Sequence, residues 1–215
     1  MEYVSGRIME QISLDRLVQE LSSEHLIFIG DIHFDNRSRN NEIKLIDALS
    51  SIKPVNVLSE FFNYTTKPLF EAYRLGEIDK DNLFKKLNSV KDTYDKEYMD
   101  FVFPILEKIR SKNCSLIPIG NYSKDHKEYE NKMMDMIDQN LDGDQNIVLI
   151  GQAHIRELGI PYKFKKLKSI QNKTISQEPN HGLDSCLKNK KINQGIIRID
   201  KPVYGNIDYL FLGKI

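Results

Sequence analysis

The sequence predicts an α/β fold, a mostly parallel β-sheet flanked by helices with a helical insertion after the second strand. Three observations carry this. Short unbroken apolar runs, each ended by a glycine or an acid, alternate with stretches of helical periodicity. The first of them, His25 to Gly30, is apolar on consecutive residues, as strands covered on both faces are. The segments between them are too long for hairpins, which calls for right-handed crossovers.

Taken in order, Leu14, Leu17, Val18 and Leu21 keep the i, i+3, i+4, i+7 rhythm of a helix, and Ser13 is placed to cap it. The first expected strand is His25 to Gly30. Leu45, Ile46, Leu49 and Ile52 form the next helical stripe, stopped before Pro54, and Val55 to Glu60 is the second strand. Helices are predicted at 66–75, 80–88 and 96–112, the last with Phe101, Val102, Ile105, Leu106 and Ile109 on one face and Pro104 as a kink. Three helices between two strands exceed what one crossover needs, so 62–112 reads as a helical insertion or lid within a single domain spanning 1–215. Ser115 to Gly120 is the third strand, although Pro118 has no place in the middle of a sheet. A polar helix at 124–141 turns Met133, Met136, Ile137 and Leu141 inward, and Asn146 to Gly151 is the fourth strand. Residues 167–176, 195–199 and 207–212 read as extended, and 180–194 as a loose loop.

Composition excludes several classes of function. The chain has 215 residues, enough for one domain with a substantial core at about 150 residues per domain. Its 31 Lys and Arg balance 31 Asp and Glu, so no global field steers it toward nucleic acid or an anionic surface. No apolar run approaches the roughly twenty residues of a membrane span. The first residues show neither a basic n-region nor an apolar h-region, so a cytoplasmic location is expected. Cys114 and Cys186 stand far apart in no metal-binding spacing. A dinucleotide fingerprint, a P-loop and a Gly-x-Ser-x-Gly elbow are all missing from the sequence. The lysine-rich stretches 163–168 and 188–191 read as solvated faces, and His126 and His181 as surface residues.

In an open parallel sheet, loops at the carboxyl ends of the strands gather on one edge. That places Asp31 and His33 after the first strand, Glu60 at the end of the second, Asn121 after the third and His154 after the fourth. The pattern Gly-x-x-His occurs twice, at Gly30 to His33 and Gly151 to His154, each time closing an apolar strand. Two imidazoles and two carboxylates in one cleft are a ligand set for a divalent zinc, manganese or iron ion. The same residues also suit metal-free acid and base catalysis.

The segments Gly30-Asp31-Ile32-His33-Phe34-Asp35-Asn36, Leu58-Ser59-Glu60-Phe61-Phe62 and Ile150-Gly151-Gln152-Ala153-His154, read in order, resemble the ChaN-like haem-binding family. That family is grouped with the Tiki/TraB proteases and the erythromycin esterases. The similarity extends to Ser5-Gly6-Arg7-Ile8, Leu75-Gly76-Glu77-Ile78, Leu158-Gly159-Ile160-Pro161 and Asp208-Tyr209-Leu210-Phe211. It implies the ChaN-like/EreA-like fold. By analogy with the peptidase and esterase members, it implies His33, Glu60 and His154 as working residues. ChaN-like members are instead associated with haem binding and iron acquisition. This chain departs from the family in having Gly-Asp-x-His for Gly-Glu-x-His, and in having Asn40 and Asn41 where a further histidine is expected. The resemblance does not place the family's haem-ligating tyrosine on any specific one of the ten tyrosines of this chain.

The expectation is therefore a metal-dependent hydrolase acting on an amide or ester bond of a small molecule or peptide. Asp31, His33, Glu60 and His154 are expected to act as ligands and catalytic groups, with Glu60 as general base. Asn121 and Arg156 are expected to orient the substrate, Arg156 because its planar fork suits a carboxylate. The competing expectation is a binding protein that holds haem or another tetrapyrrole, with two copies of the chain forming a homodimer around it.

Overall fold

Among the described residues eight strands form one sheet, in the spatial order Met9–Ile12, Gly195–Ile199, Tyr209–Leu212, Lys173–Ser176, Leu26–Asp31, Gln145–Gly151, Val55–Asn63 and Cys114–Gly120. The structure, a computed structural model, describes residues 9–89, 96–111, 114–121, 125–143, 145–155, 158–178, 194–199, 207–213 and 215. Four apolar runs build its centre and one edge: β2 (Leu26–Asp31), β3 (Val55–Asn63), β4 (Cys114–Gly120) and β5 (Gln145–Gly151). All their pairings are parallel, with Asp31 in register with Gly151 and Ser59 with Leu149. Every residue of β2 and of β5 is buried, which is why neither run alternates with polar residues. Pro118 finds its place because β4 is an edge strand, where a missing N–H costs no ladder bond.

The other half of the sheet is where the sequence reading falls short. A strand, β1 (Met9–Ile12), precedes the first helix and pairs antiparallel with β7 (Gly195–Ile199) at the far edge. At four residues it is too short to show a period. The segment expected to be extended over 167–176 is divided: helix α7 (Ile160–Leu167) comes first, and only Lys173–Ser176 forms a strand, β6. The lysines of α7 mask its periodicity, although Ile160, Pro161 and Phe164 bury one face. β8 (Tyr209–Leu212) pairs parallel with β6 and antiparallel with β7. The expected loop over 180–194 lies outside the described residues except for Gln194.

Alternate side chains of the strands feed two large cores, beside a smaller one of Met9, Ile197, Ile199, Ile207 and Leu210. On one face Ile27, Ile29, Val57, Ile147 and Leu149 meet α1 (Leu14–Leu21), α2 (Asn36–Ser50), α3 (Lys67–Arg74), α4 (Lys80–Ser89) and α5 (Lys96–Arg110). On the other face Leu26, Phe28, Leu58, Val148 and Ile150 meet α7 and α6 (His126–Asn140). The three helices between β3 and β4 thus bury Phe70, Tyr73, Leu83, Leu87, Met99, Val102 and Ile105 in the larger core. α5 runs on through Pro104.

Two local features set up the carboxyl edge of the sheet. Phe34 adopts φ 61, a left-handed conformation unusual for a bulky residue. It reverses the chain so that Asp35 can cap α2, its carboxylate accepting from the Arg37 N–H at 2.9 Å. β3 slips register against β4 between Ser59 and Asn63, and a bulge of this kind re-aims side chains. The bulge carries Glu60, and its carbonyls approach β4 closely: a Cβ on Gly120 would lie 2.4 Å from the Glu60 carbonyl oxygen. Only glycine fits there.

Candidate functional site

The strand-end residues meet around Gly151. A Cβ on that glycine would stand 3.6 Å from Glu60 Oε2, 3.6 Å from His154 Cδ2 and 3.7 Å from His33 Nε2. The imidazoles of His33 and His154, far apart in sequence, therefore face one small volume together with the Glu60 carboxylate.

His33 and Asp31 form a pair. The Asp31 carboxylate is fully buried, and its Oδ2 lies 2.6 Å from His33 Nδ1. Its other oxygen accepts from Arg39 Nη2 at 3.3 Å. Arg39 is itself buried, its guanidinium sandwiched between the rings of Phe61 (4.2 Å) and Phe101 (4.4 Å), and it also pairs with buried Glu42. The shorter arm at position 31 thus ends on a fixed cation. The Asp31 carboxylate raises the His33 pKa above its ordinary value, against the opposing effect of burial. The His33 side chain is half-exposed, and Nε2 is left for the cleft.

Glu60 and His154 form a second unit of different character. Glu60 Oε1 accepts from the Tyr129 hydroxyl at 2.6 Å, and Oε2 accepts from the Gly151 N–H at 2.7 Å. His154 Nε2 lies 3.3 Å from Glu60 Oε1, while its Nδ1 lies 3.1 Å from Glu130 Oε1. Glu130 is tied in turn to the Lys163 ammonium. A carboxylate only accepts, so an imidazole between two of them satisfies both only as the doubly protonated cation. Burial pulls the His154 pKa down, but Glu60 and Glu130 outweigh it and the net shift is upward. For Glu60 the balance is reversed: burial raises it, and hydrogen bonds from His154, Tyr129 and Gly151 carry it below the ordinary carboxylate value.

Asn121 lies at the same edge, buried, its amide donating to the Tyr129 carbonyl at 3.2 Å. Its Oδ1 has no hydrogen-bond partner, an acceptor left for a ligand donor. Arg156 lies outside the described residues, as do His181 and Cys186. Asn41, near the position where the resembled family has a histidine, is buried and ties down the C-terminus, donating to the Gly213 carbonyl and accepting from the Ile215 N–H.

The group of side chains placed closely enough to hold an ion is not the expected Asp31, His33, Glu60 and His154. As placed, no three of Asp31, His33, Glu60 and His154 offer ligand atoms that all lie within 4.8 Å of one another. Among the described residues the group that does is His126, Glu130 and His154. His126, expected on a plain surface, is exposed but stacks its ring on His154, with centroids 5.3 Å apart. Sequence reading also missed Arg39, Tyr129 and Glu130. The signals for two of them are present: His126 and Glu130 stand one helical turn apart, and Arg39 and Glu42 are spaced to pair on α2.

No family model matches the chain, and none of the curated proteins matches it by sequence. Solved structures do. ChaN of Campylobacter jejuni, described as binding haem cofacially, superposes with a TM-score of 0.62 at 14% identity, over 96% of this chain and 94% of that one. The type III effector HopBA1 superposes with a TM-score of 0.63 at 14% identity, over 94% and 93%. RRSP, a MARTX toxin effector domain from Vibrio vulnificus CMCP6, gives 0.56 at 14% identity, over 78% of this chain and 36% of that one. These likenesses establish a ChaN-like α/β fold. No helix among the described residues is long and apolar enough to cross a membrane.

Proposed function

We propose that the chain is a hydrolase-like enzyme acting on an amide or ester bond, with His33, Asp31, His154 and Glu60 at its centre. The observation that carries this reading is the meeting of His33 Nε2, Glu60 Oε2 and the His154 ring around Gly151. The two imidazoles are prepared for opposite tasks. Asp31 holds the Nδ1 proton of His33, so Nε2 keeps its lone pair and can take a proton from a water attacking the carbonyl carbon. His154, cationic between Glu60 and Glu130, can give a proton to the departing nitrogen or oxygen. Glu60, expected from sequence to be the general base, serves better as the partner of that cation. Three donors occupy its oxygens, and a lowered pKa makes it the weaker base. Asn121 Oδ1 can accept from a substrate N–H or O–H. Turnover of a panel of activated esters and amides by untagged protein should be lost in His33→Ala and His154→Ala. No turnover of any member, or equal turnover in both variants, would overturn the assignment.

A second reading has its own observation. His33 Nε2 is accessible, its Nδ1 donates to a carboxylate, and beside it the Phe34 ring is 55% exposed against Tyr98 and Phe101. His33 and the exposed ring of Phe34 are the residues that would hold a haem, and bound haem would supply redox or iron-carrying chemistry. The fold it shares with a cofacial haem binder supports this reading. A Soret band that appears on haem titration and shifts in His33→Ala would favour it, and a featureless titration would remove it.

A further inference from the structure

We infer that His126, Glu130 and His154 form a binding site for a transition-metal ion of the zinc class that overlaps the proposed catalytic centre at His154 alone. One ligand atom from each of the three lies within 4.8 Å of the others. Two imidazoles and one carboxylate are a set that holds zinc with a coordination position left open, and imidazole nitrogen selects zinc, copper, nickel and iron over magnesium or calcium.

The geometry follows from local sequence. Asp125 caps α6, its carboxylate accepting from the Glu128 N–H at 2.9 Å. His126 therefore sits at the first helical position and Glu130 one turn later on the same face. The short helical turn Gln152–Ile155 that follows β5 delivers His154 from the sheet side. The two imidazoles stack with 28° between their planes, and Nδ1 of His154 faces Glu130 at 3.1 Å. Zinc holds nitrogen and oxygen ligands at about 2.0–2.2 Å, so two ligands on one ion stand about 4 Å apart or less. The three ligand atoms lie within 4.8 Å of one another, so closing onto an ion needs a shift of at most about an ångström, within reach of the exposed His126 side chain.

Each existing contact also has a structural reading. Glu130 can simply brace His154, and Lys163 can simply neutralise Glu130. The two readings differ at His126. Bracing needs nothing from it, whereas an ion does. Ligation through Glu130 Oε1 leaves Lys163 on Oε2, so the ammonium need not be displaced. The ion would take the place of the proton on His154 Nδ1 and leave the Nε2 side toward Glu60 unchanged. In this way it would connect metal availability to the proposed acid of the reaction. Ion binding itself does not depend on the hydrolase assignment.

Cobalt titration of untagged full-length protein, read by visible absorption and confirmed by zinc competition, tests the site. The expected result is one equivalent bound with a low-symmetry spectrum, weakened more than tenfold in His126→Ala and in Glu130→Gln but unchanged in His33→Ala. His126 is exposed, so its replacement should leave the fold intact, and circular dichroism checks this. Failure to bind, equal binding by His126→Ala and wild type, or a loss in His33→Ala matching that in His126→Ala would each overturn the inference. Because the readout is binding, these outcomes are independent of whether any ester or amide is turned over.

Discussion

Replacing Gly151 by alanine separates the chemistry of the site from the stability of the fold. The added methyl would stand 3.6–3.7 Å from Glu60, His154 and His33. That is ordinary van der Waals contact, so nothing need move. Gly151 is not among the residues with positive φ, and an alanine that fits its backbone narrows the unfolded ensemble, stabilising the protein by about 0.4–1 kcal/mol. Yet the methyl occupies the volume where, in the proposed reaction, water and the scissile carbon would sit. A displacement of about 1 Å at the reacting atoms costs roughly a hundredfold in rate, or about 2.7 kcal/mol of barrier. The expected outcome is a midpoint of thermal unfolding equal to or above wild type, together with a drop of at least about a hundredfold in kcat/KM on an activated ester. Gly120→Ala provides the contrast, because its Cβ would lie 2.4 Å and 2.7 Å from two backbone oxygens of β3, and it should unfold at a markedly lower temperature. A stable Gly151→Ala protein with undiminished turnover would show that the volume in front of Gly151 is not where the reaction occurs.

Arg39→Leu should destabilise the fold by about 3–5 kcal/mol in urea unfolding, since it strands Asp31 and Glu42 in the interior without their cation; a loss under about 1 kcal/mol would mean the network is spread over other donors. Tyr129→Phe should cost about 1–3 kcal/mol by removing the hydroxyl from a buried carboxylate, and should also weaken His154 as an acid, seen as a shifted pH profile of turnover. The pairing of His154 with Glu60 and Glu130 raises an imidazole above its ordinary value of 6.5. The stability it contributes is fully present below that pH and is lost as pH rises through the folded-state value. The difference in unfolding free energy between wild type and His154→Gln should accordingly shrink above pH 6.5, and a difference that is flat or grows with pH would contradict the assigned cation.

What the sequence made legible follows from how much each element reports its surroundings locally. β2 and β5 are buried on both faces, so their apolar runs are unmistakable and their ends, Asp31 and Gly151, can be placed on one edge before any coordinates exist. β1 and β6 are four residues each and take their identity from partners far along the chain, Ile196–Ile199 for one and Ile27–Ile29 for the other. No local pattern announces such pairings. Helix α2 shows a third case. Its apolar stripe is visible from Leu45 onward, but its first two turns bury Ser38, Arg39, Asn41 and Glu42. Those polar residues look solvated in sequence and are instead the support of the site.

The same burial explains why Asp can stand at position 31 where the resembled family has Glu. A carboxylate that must itself reach the cleft would lose by a shorter arm. Both oxygens of Asp31 are already committed, one to His33 Nδ1 and the other to Arg39. Arg39 is fixed by two aromatic faces and by Glu42, whose second oxygen accepts from Gln177 Nε2 at 3.1 Å. Asp31 therefore links α2 and the end of β6 to the ring of His33, and in the proposed reaction it would act as a positioning residue. Asp31→Asn tests that role against direct contact with the reacting atoms. An amide that keeps the arm can accept from either Arg39 or His33 but cannot neutralise both, so it should lower the His33 pKa while leaving KM near its wild-type value. Asp31→Glu should crowd a carboxylate that is already fully buried. If Asp31→Glu instead raised turnover, the carboxylate would belong in the cleft.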